Sequence, residues 1–589
     1  MGASSPRPPG TDGDDPVWVV GPQEQVRAEG PWALVLEDGT EAEGVDRLPE
    51  DLPLGYHDLH RPDRPAVRLI VAPPACHLPE GMRTWGWAAQ LPSVRSARSW
   101  GIGDLGDVAE LGRWAAGRGA GVLMLSPLHA PVPVPPIQPS PYFASSRCFR
   151  NPLYLRVEDV AGAGRCHDLT EAARAGQALN DSPLVDRDAV WKLKAAVLEP
   201  TWRASPAARG ADPGFEAYRR RHGQALEAFA TFCALSEVRG ADWRDWPEGL
   251  RRPDSAAVAD FAAANADRVG YHAWLQWLIE EQLARAGDRI GLVQDLAIGV
   301  DPAGADAWMW RDLMATGVRV GAPPDDFNAA GQDWGLPPFD PWKLRQAGFD
   351  PLARTLRAVL AHSAGVRIDH IAGLFRLFWI PPGASAGEGA YVRYPWSELL
   401  SVLALESVRA GAWVVGEDLG TVEDRVREEM ERRRLLSTRL LWFEPGPPAG
   451  YPSRTMAAVT THDLPTVAGL WSGGDAAELA RLGLPAADGF APVRRRLADW
   501  TGLPDDAPVE EAVRAAYRLL AQAPSAVALA TLEDAAAMPE RPNLPGTVDD
   551  RPNWSLALPR PLEELVSSPL ADDLGRSLAS GRSSGPSGG

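Results

Sequence analysis

Short apolar runs recur along this chain, and between them lie stretches with helical periodicity. The runs are TWGWAAQL (84–91), GVLMLSP (121–127), GLVQDLAI (291–298), VRID (366–369), AWVVGED (412–418), TRLLWFE (438–444), MAAVTTHD (456–463) and AVALATLED (526–534). Each has the length and continuous hydrophobicity of a strand buried on both faces. Helical patterns such as DVAELGRWAAGRG (107–119) and TVEDRVREEMERR (421–433) intervene. In the second, Thr421 with Asp424 three residues on predicts a capping-box start. Eight alternating strand–helix units predict an α/β fold, a (β/α)8 TIM barrel.

The flanks and gaps read differently. VWVV (17–20), WALVLEDGT (32–40) and VRLIVA (67–72), separated by turn residues, predict a small β domain over 16–75. The Pro-, Gly-, Ser- and Asp-rich stretch 1–15 predicts disorder, and the Ser/Gly-rich end predicts a flexible tail over 573–589. Residues 76–572 then form the barrel. Two gaps, about 128–290 and 299–365, exceed simple crossovers and predict inserted subdomains. The first holds the helical stretches 215–235 and 271–286. The second carries the polar loop GAPPDDFNAAGQDWGLPPFDP (321–341), and long loops on the carboxyl side of a barrel build or cover its site.

Three of the runs end in a carboxylate: Asp369 in GVRIDH, Glu417 in WVVGED and Asp463 in VTTHDLPT. Barrel active sites are built from strand carboxyl ends, and grouped carboxylates are the equipment of glycosidic-bond chemistry. Arg367 and Asp369, two apart on a strand, share a face, and an arginine there favours an ionised Asp369, a credible nucleophile. The alternative is an ordinary buried ion pair. Glu417 follows an apolar run whose low dielectric raises a carboxyl pKa toward the range of a general acid. Asp418 competes for that role, but its neighbouring Gly420 and the helix near Thr421 suit a loop-fixing acid. Asp463 and His462 sit where a strand leaves for a loop, and both can reach a cavity or pair with each other.

Composition narrows the class of partner. The chain has 589 residues and a formal charge of −19, and no basic stripe of the kind a nucleic-acid partner requires. No apolar run reaches the roughly 18 residues of a membrane span, and the N-terminus lacks a signal-peptide h-region. The scattered Cys76, Cys148, Cys166 and Cys233 form no CxxC pair and predict reduced thiols in a cytoplasmic protein. The 23 Trp against 13 Phe and 9 Tyr suit stacking on sugar rings, or simply a Trp-rich core. No metal constellation is present, and the chemistry needs no cofactor.

The ordered motifs resemble those of the 4-alpha-glucanotransferases, also called amylomaltases or disproportionating enzymes, in the bacterial form with an extra N-terminal β domain. They run from LPLGYHDL (52–59) through SWGIGDLGD (99–107), SPYFASSRCFRNPLYL (140–155), DLAIGVDPAGADAW (295–308), the 321–341 loop, VRIDHIAGLFRLFWIP (366–381), GAYVRYP (389–395), VGEDLGTV (415–422) and THDLPTVAGLW (461–471) to RPNLPGTVDDRPNWS (541–555). The resemblance implies a retaining transferase on maltooligosaccharides and alpha-1,4-glucans, with Asp369 as nucleophile, Glu417 as acid/base and Asp463 as transition-state stabiliser. It implies substrate-binding roles for Arg367, His462, Ser140 and Tyr142, for Asp325, Gln332 and Trp334 in the covering loop, and for Asp295. One departure is Asp326 followed by Phe327, where one branch of the family has an aromatic pair, so position 326 offers no stacking ring. Two other readings stand beside this one: a plain alpha-glucan hydrolase, and a glucan-binding protein without catalysis.

Overall fold

The computed structural model describes residues 15–166, 168–324, 331–484, 489–548 and 550–583. The expectations for residues 1–14, for Asp325, Asp326 and Phe327, and for 584–589 lie outside the described residues.

All eight apolar runs become barrel strands. In chain order they are Thr84–Ala89, Val122–Leu125, Gly291–Leu296, Gly365–Ile368, Trp413–Gly416, Leu436–Leu440, Thr455–Ala458 and Val527–Thr531. Neighbours pair in parallel, and the eighth pairs with the first to close the barrel. Asp295 of the third strand is in register with Arg367 of the fourth, and Arg367 with Val415 of the fifth. That register places Asp295 and Arg367 side by side on one face. The ladder continues past the strands, where Asp369 N–H donates to Leu296 O at 3.0 Å and Glu417 N–H to Ile368 O at 2.9 Å. Both acids are thereby fixed at the carboxyl rim.

The segment after the second strand folds into helices, of which Pro213–Arg239 and Ala266–Ala286 are the longest. The segment after the third strand supplies Arg319–Ala322 and Gln332–Leu336 to a four-stranded sheet. The other two strands of that sheet, Arg376–Ile380 and Ala390–Arg393, come from beyond the fourth barrel strand. The insertion expected over 299–365 is therefore one half of a sheet that straddles a barrel strand. The motif SWGIGDLGD serves the fold: Asp104 caps helix Leu105–Ala116, and Asp104 and Asp107 both hold the buried Arg156.

The N-terminal region is a five-stranded sheet, in spatial order Val17–Val20, Val67–Val71, Gly55–His60, Arg27–Val35, Glu41–Arg47. Its core is Trp18, Leu34, Leu59 and Leu69. It meets the barrel through Glu37, which takes ion pairs from Arg357 at 3.1 Å and from Arg409.

Two expectations are corrected. The tail expected from 573 is helical, part of a helix over Pro569–Ser583. Leu570, Leu574 and Leu578, four apart, form a buried stripe that outweighs the Ser/Gly composition. Thr421 does not cap the helix after the fifth strand, which runs Asp424–Arg432 with Glu423 at its N-cap and no side-chain cap. Gly420, at φ +76°, turns the chain before it.

Candidate active site

The third, fourth, fifth and seventh strands deliver their end residues to one place. Arg367 is the hub. Its Nη1 donates to both carboxylate oxygens of Asp295 at 2.8 Å, and its Nη2 donates to Asp369 Oδ1 at 3.0 Å. Burial opposes a charged guanidinium, but Asp295, Tyr142, Asp369 and Glu417 surround it and hold its pKa well above the usual value. Tyr142 Oη donates to Asp295 Oδ2, which it shares with Arg367, at 2.5 Å. Burial, then the charge of Asp295, pushes this phenol well up, so Tyr142 stays a neutral donor.

Glu417 accepts N–H bonds from Leu419 at 2.7 Å and His370 at 3.1 Å. These two bonds orient the carboxyl and favour its ionised form, as does Arg367. Burial outweighs them, and together with the nearby Asp369 charge it pushes the Glu417 pKa up to about 7. That is the poise a general acid needs near neutrality. Its neighbour Asp418 is fully buried and takes bonds from Thr438 N–H at 2.8 Å, Ser437 Oγ at 2.5 Å and Arg427 Nε at 3.3 Å. Asp418 therefore ties the fifth strand to the sixth, the loop-fixing part expected of it.

Asp463 lies five residues beyond the seventh strand, with its side chain 42% exposed. It pairs with His462 Nε2 at 3.4 Å and accepts from Asn543 Nδ2 at 2.7 Å. Burial works against its charge, but His462 and Asn543 hold its pKa below the ordinary value, while Asp463 in turn raises that of His462. His462 also packs in an aromatic cluster. The rings of Tyr142, His462 and Trp554 have their centroids 5.0–5.3 Å apart.

The remaining expected residues fall into two groups. Ser140 Oγ accepts from Tyr142 N–H at 3.3 Å, so it fixes the turn that aims Tyr142. Gln332 and Trp334 sit on an edge strand of the four-stranded sheet. Trp334 Nε1 donates to Gln332 Oε1 at 3.1 Å, and its ring meets His370, next to Asp369, edge-on at 5.6 Å.

Sequence reasoning did not single out Trp554, Asn543, Arg541 or His370. Arg541 donates to the Asp463 carbonyl at 2.8 Å. Three of the four belong to RPNLPGTVDDRPNWS, a Pro- and Asn-rich stretch whose composition reads as loop. His370 and Trp554 hold left-handed backbone, φ +48° and +61°, which is uncommon for such residues and recurs at functional sites. Among the described residues, no group of three or more His, Cys, Asp or Glu could hold a metal ion.

A parallel barrel that gathers ionisable groups with perturbed pKa values at its carboxyl rim is built as an enzyme. The profile of the family described as 4-alpha-glucanotransferase, glycoside hydrolase 77, matches residues 89–562, and the chain belongs to that family. It is 45% identical over 565 residues to the 4-alpha-glucanotransferase of Mycobacterium tuberculosis H37Rv, covering 87% of this chain and 77% of the relative. It is 34% identical to that of Haemophilus influenzae over 77% of this chain and 70% of the relative. Among solved structures, the amylomaltase of Corynebacterium glutamicum superposes with a TM-score of 0.84 at 31% identity, covering 96% of this chain and 90% of that one. The amylomaltase of Streptococcus agalactiae in complex with acarbose shares the fold, with a TM-score of 0.71 at 18% identity over 85% and 99% of the two chains. The chain is accordingly a 4-alpha-glucanosyl-transferring enzyme that acts on alpha-glucans.

Proposed function

We propose that the enzyme moves a segment of an alpha-1,4-glucan to the 4-hydroxyl of a second glucan or of glucose by double displacement. Asp369, ionised beside Arg367, attacks the anomeric carbon. Glu417 gives its proton to the departing glycosidic oxygen, and a glycosyl ester forms on Asp369. The acceptor 4-hydroxyl then attacks that ester, its proton passes to Glu417, and the Asp369 carboxylate is released. Two inversions give net retention. Asp463, with His462, binds hydroxyls of the distorted sugar, and Tyr142 and Asp295 hold Arg367 in place.

The observation that carries this reading is the pairing of environments. Asp369 is held by a guanidinium at 3.0 Å, whereas Glu417 is raised to about 7 by burial. One acid oriented by a fixed cation, beside a second that burial keeps protonated near neutrality, is the pair a double displacement needs. Transfer must outcompete hydrolysis in ~55 M water, and the strand Gln332–Leu336, with Trp334 beside His370, is the described part of the cover that excludes water. The amylomaltase of S. agalactiae has been solved in complex with acarbose, which is consistent with an alpha-glucan ligand. Cys76, Cys148 and Cys233 are unpaired, and no described helix is long and apolar enough to cross a membrane.

Incubation with maltotriose alone tests the reading. Transfer yields glucose together with maltodextrins longer than maltotriose. Products confined to glucose and maltose would establish a hydrolase instead.

A further inference from the structure

A cavity of about 60 Å³ lies within the barrel mouth. One wall is the site already described, with Arg367, Glu417 and His462. The opposite wall carries Gln90 and Glu533, which follow the ends of the first and eighth strands. The double displacement makes no use of either residue.

Both are unfinished. Gln90 Oε1 and Glu533 Oε1 are buried and have no hydrogen-bond partner among the described residues. Three hydroxyls that line the cavity are spent elsewhere: Thr438 Oγ1 donates to Gly416 O, Thr460 Oγ1 to Pro465 O and Thr466 Oγ1 to Met538 O. Native proteins rarely leave a buried acceptor without a donor, because the group has lost its water and gained nothing. Gln90 and Glu533 line one cavity together with the acid/base and the guanidinium hub, and their unpartnered oxygens call for a ligand that brings hydroxyl donors.

We propose that Gln90 and Glu533 are substrate contacts, whose free oxygens take hydrogen bonds from hydroxyls of the glucosyl unit seated between Asp369 and Glu417. This rests on the function proposed above. Glu533 is 4% exposed, and burial, with Asp534 adding to it and His462 opposing it, pushes its pKa to about 7. Its neutral acid form offers a carbonyl acceptor and an O–H donor, which a glutamine amide reproduces with its carbonyl and one of its two N–H groups. The contact is therefore one of shape and hydrogen bonding, and charge is not required. The rival occupant is water alone, since the volume equals that of about two molecules.

The test uses the full-length enzyme and the variants Glu533→Ala, Glu533→Gln and Gln90→Ala. Maltotriose kinetics are read together with acarbose titration and thermal midpoints. If the two residues touch sugar, Glu533→Ala and Gln90→Ala lower kcat/KM and weaken acarbose each by about tenfold or more, with folded spectra retained, and Glu533→Gln recovers most of the loss. Alanine variants that match wild type within twofold in both kcat/KM and acarbose affinity overturn the proposal and leave the cavity to water. A lowered midpoint with unchanged kcat/KM and affinity overturns it equally, by making the residues structural. If the wild type fails to elongate maltotriose, the transfer reading falls, but the acarbose titration still reports the contact.

Discussion

Arg367 and Asp369 lie two residues apart where the fourth barrel strand ends, and Nη2 of the first donates to Oδ1 of the second at 3.0 Å. Strand geometry puts both on one face, and Asp295, in register one strand away, anchors the other arm of the guanidinium at 2.8 Å. Lysine cannot serve two carboxylates with a planar fork. Arg367→Lys is expected to lower kcat about 10²–10³-fold, the usual scale for loss of one positioned electrostatic contact, with the native circular dichroism spectrum kept.

Glu417 must be protonated when the glycosidic bond breaks, and burial sets its pKa near 7. As pH rises through that value the acid form is lost, so kcat/KM should fall on the alkaline side with an apparent pKa of about 7. A pH–rate profile with maltotriose checks this. An alkaline limb centred near the ordinary glutamate value would remove burial as the tuning force.

Asp463 depends on Asn543, which donates to its Oδ1 at 2.7 Å. Removing a hydrogen bond to a charged acceptor costs roughly 1.5–3 kcal/mol. Asn543→Ala should therefore reduce kcat/KM about tenfold to a hundredfold. Initial rates on a maltooligosaccharide series provide the check, and Asn543→Asp, which sets a second carboxylate against the first, should be at least as damaging.

Asp418 provides the contrast. It sits beside Glu417 in sequence, yet it is buried on Thr438, Ser437, Arg427 and Arg439. Asp418→Ala takes the carboxylate acceptor from the buried Thr438 N–H and from the Ser437 hydroxyl, and a buried donor left unsatisfied costs roughly 1–3 kcal/mol. The expected signature is a lower denaturation midpoint, with kcat per folded molecule far less affected than in Glu417→Gln.

The barrel was legible because most of its strands are buried on both faces and read as apolar runs; Leu436–Leu440, with Ser437, Thr438 and Arg439 inside it, is the exception. Glu41–Arg47 was not, since it is a largely exposed edge strand without alternation. The acids were legible because strand ends fix them: Asp369 and Glu417 each stand one residue past a strand. Trp554 and Asn543 were not, because their approach to His462 and Asp463 depends on a left-handed turn and on loop packing that no periodicity records. Trp334 was named from the covering loop, but its place beside His370 requires a sheet drawn from both sides of the fourth strand.

The covering loop bears on the balance between transfer and hydrolysis. Trp334→Ala opens the side of the site next to His370 to solvent, and it should raise the share of glycosyl ester captured by water. Reducing-end release measured against chain elongation gives that ratio directly, and an unchanged ratio would take Trp334 out of the cover.

The central claim is that Asp369 carries the glycosyl group between donor and acceptor. A maltotriosyl fluoride blocked at its non-reducing 4-hydroxyl can load the enzyme but cannot be elongated by a second copy of itself. With Glu417→Gln, which cannot act as base for the second step, peptide mass spectrometry after acid quench should find the added sugar as an ester on the peptide containing Asp369. An adduct on another carboxylate, or inverted product with no adduct at all, would contradict the account.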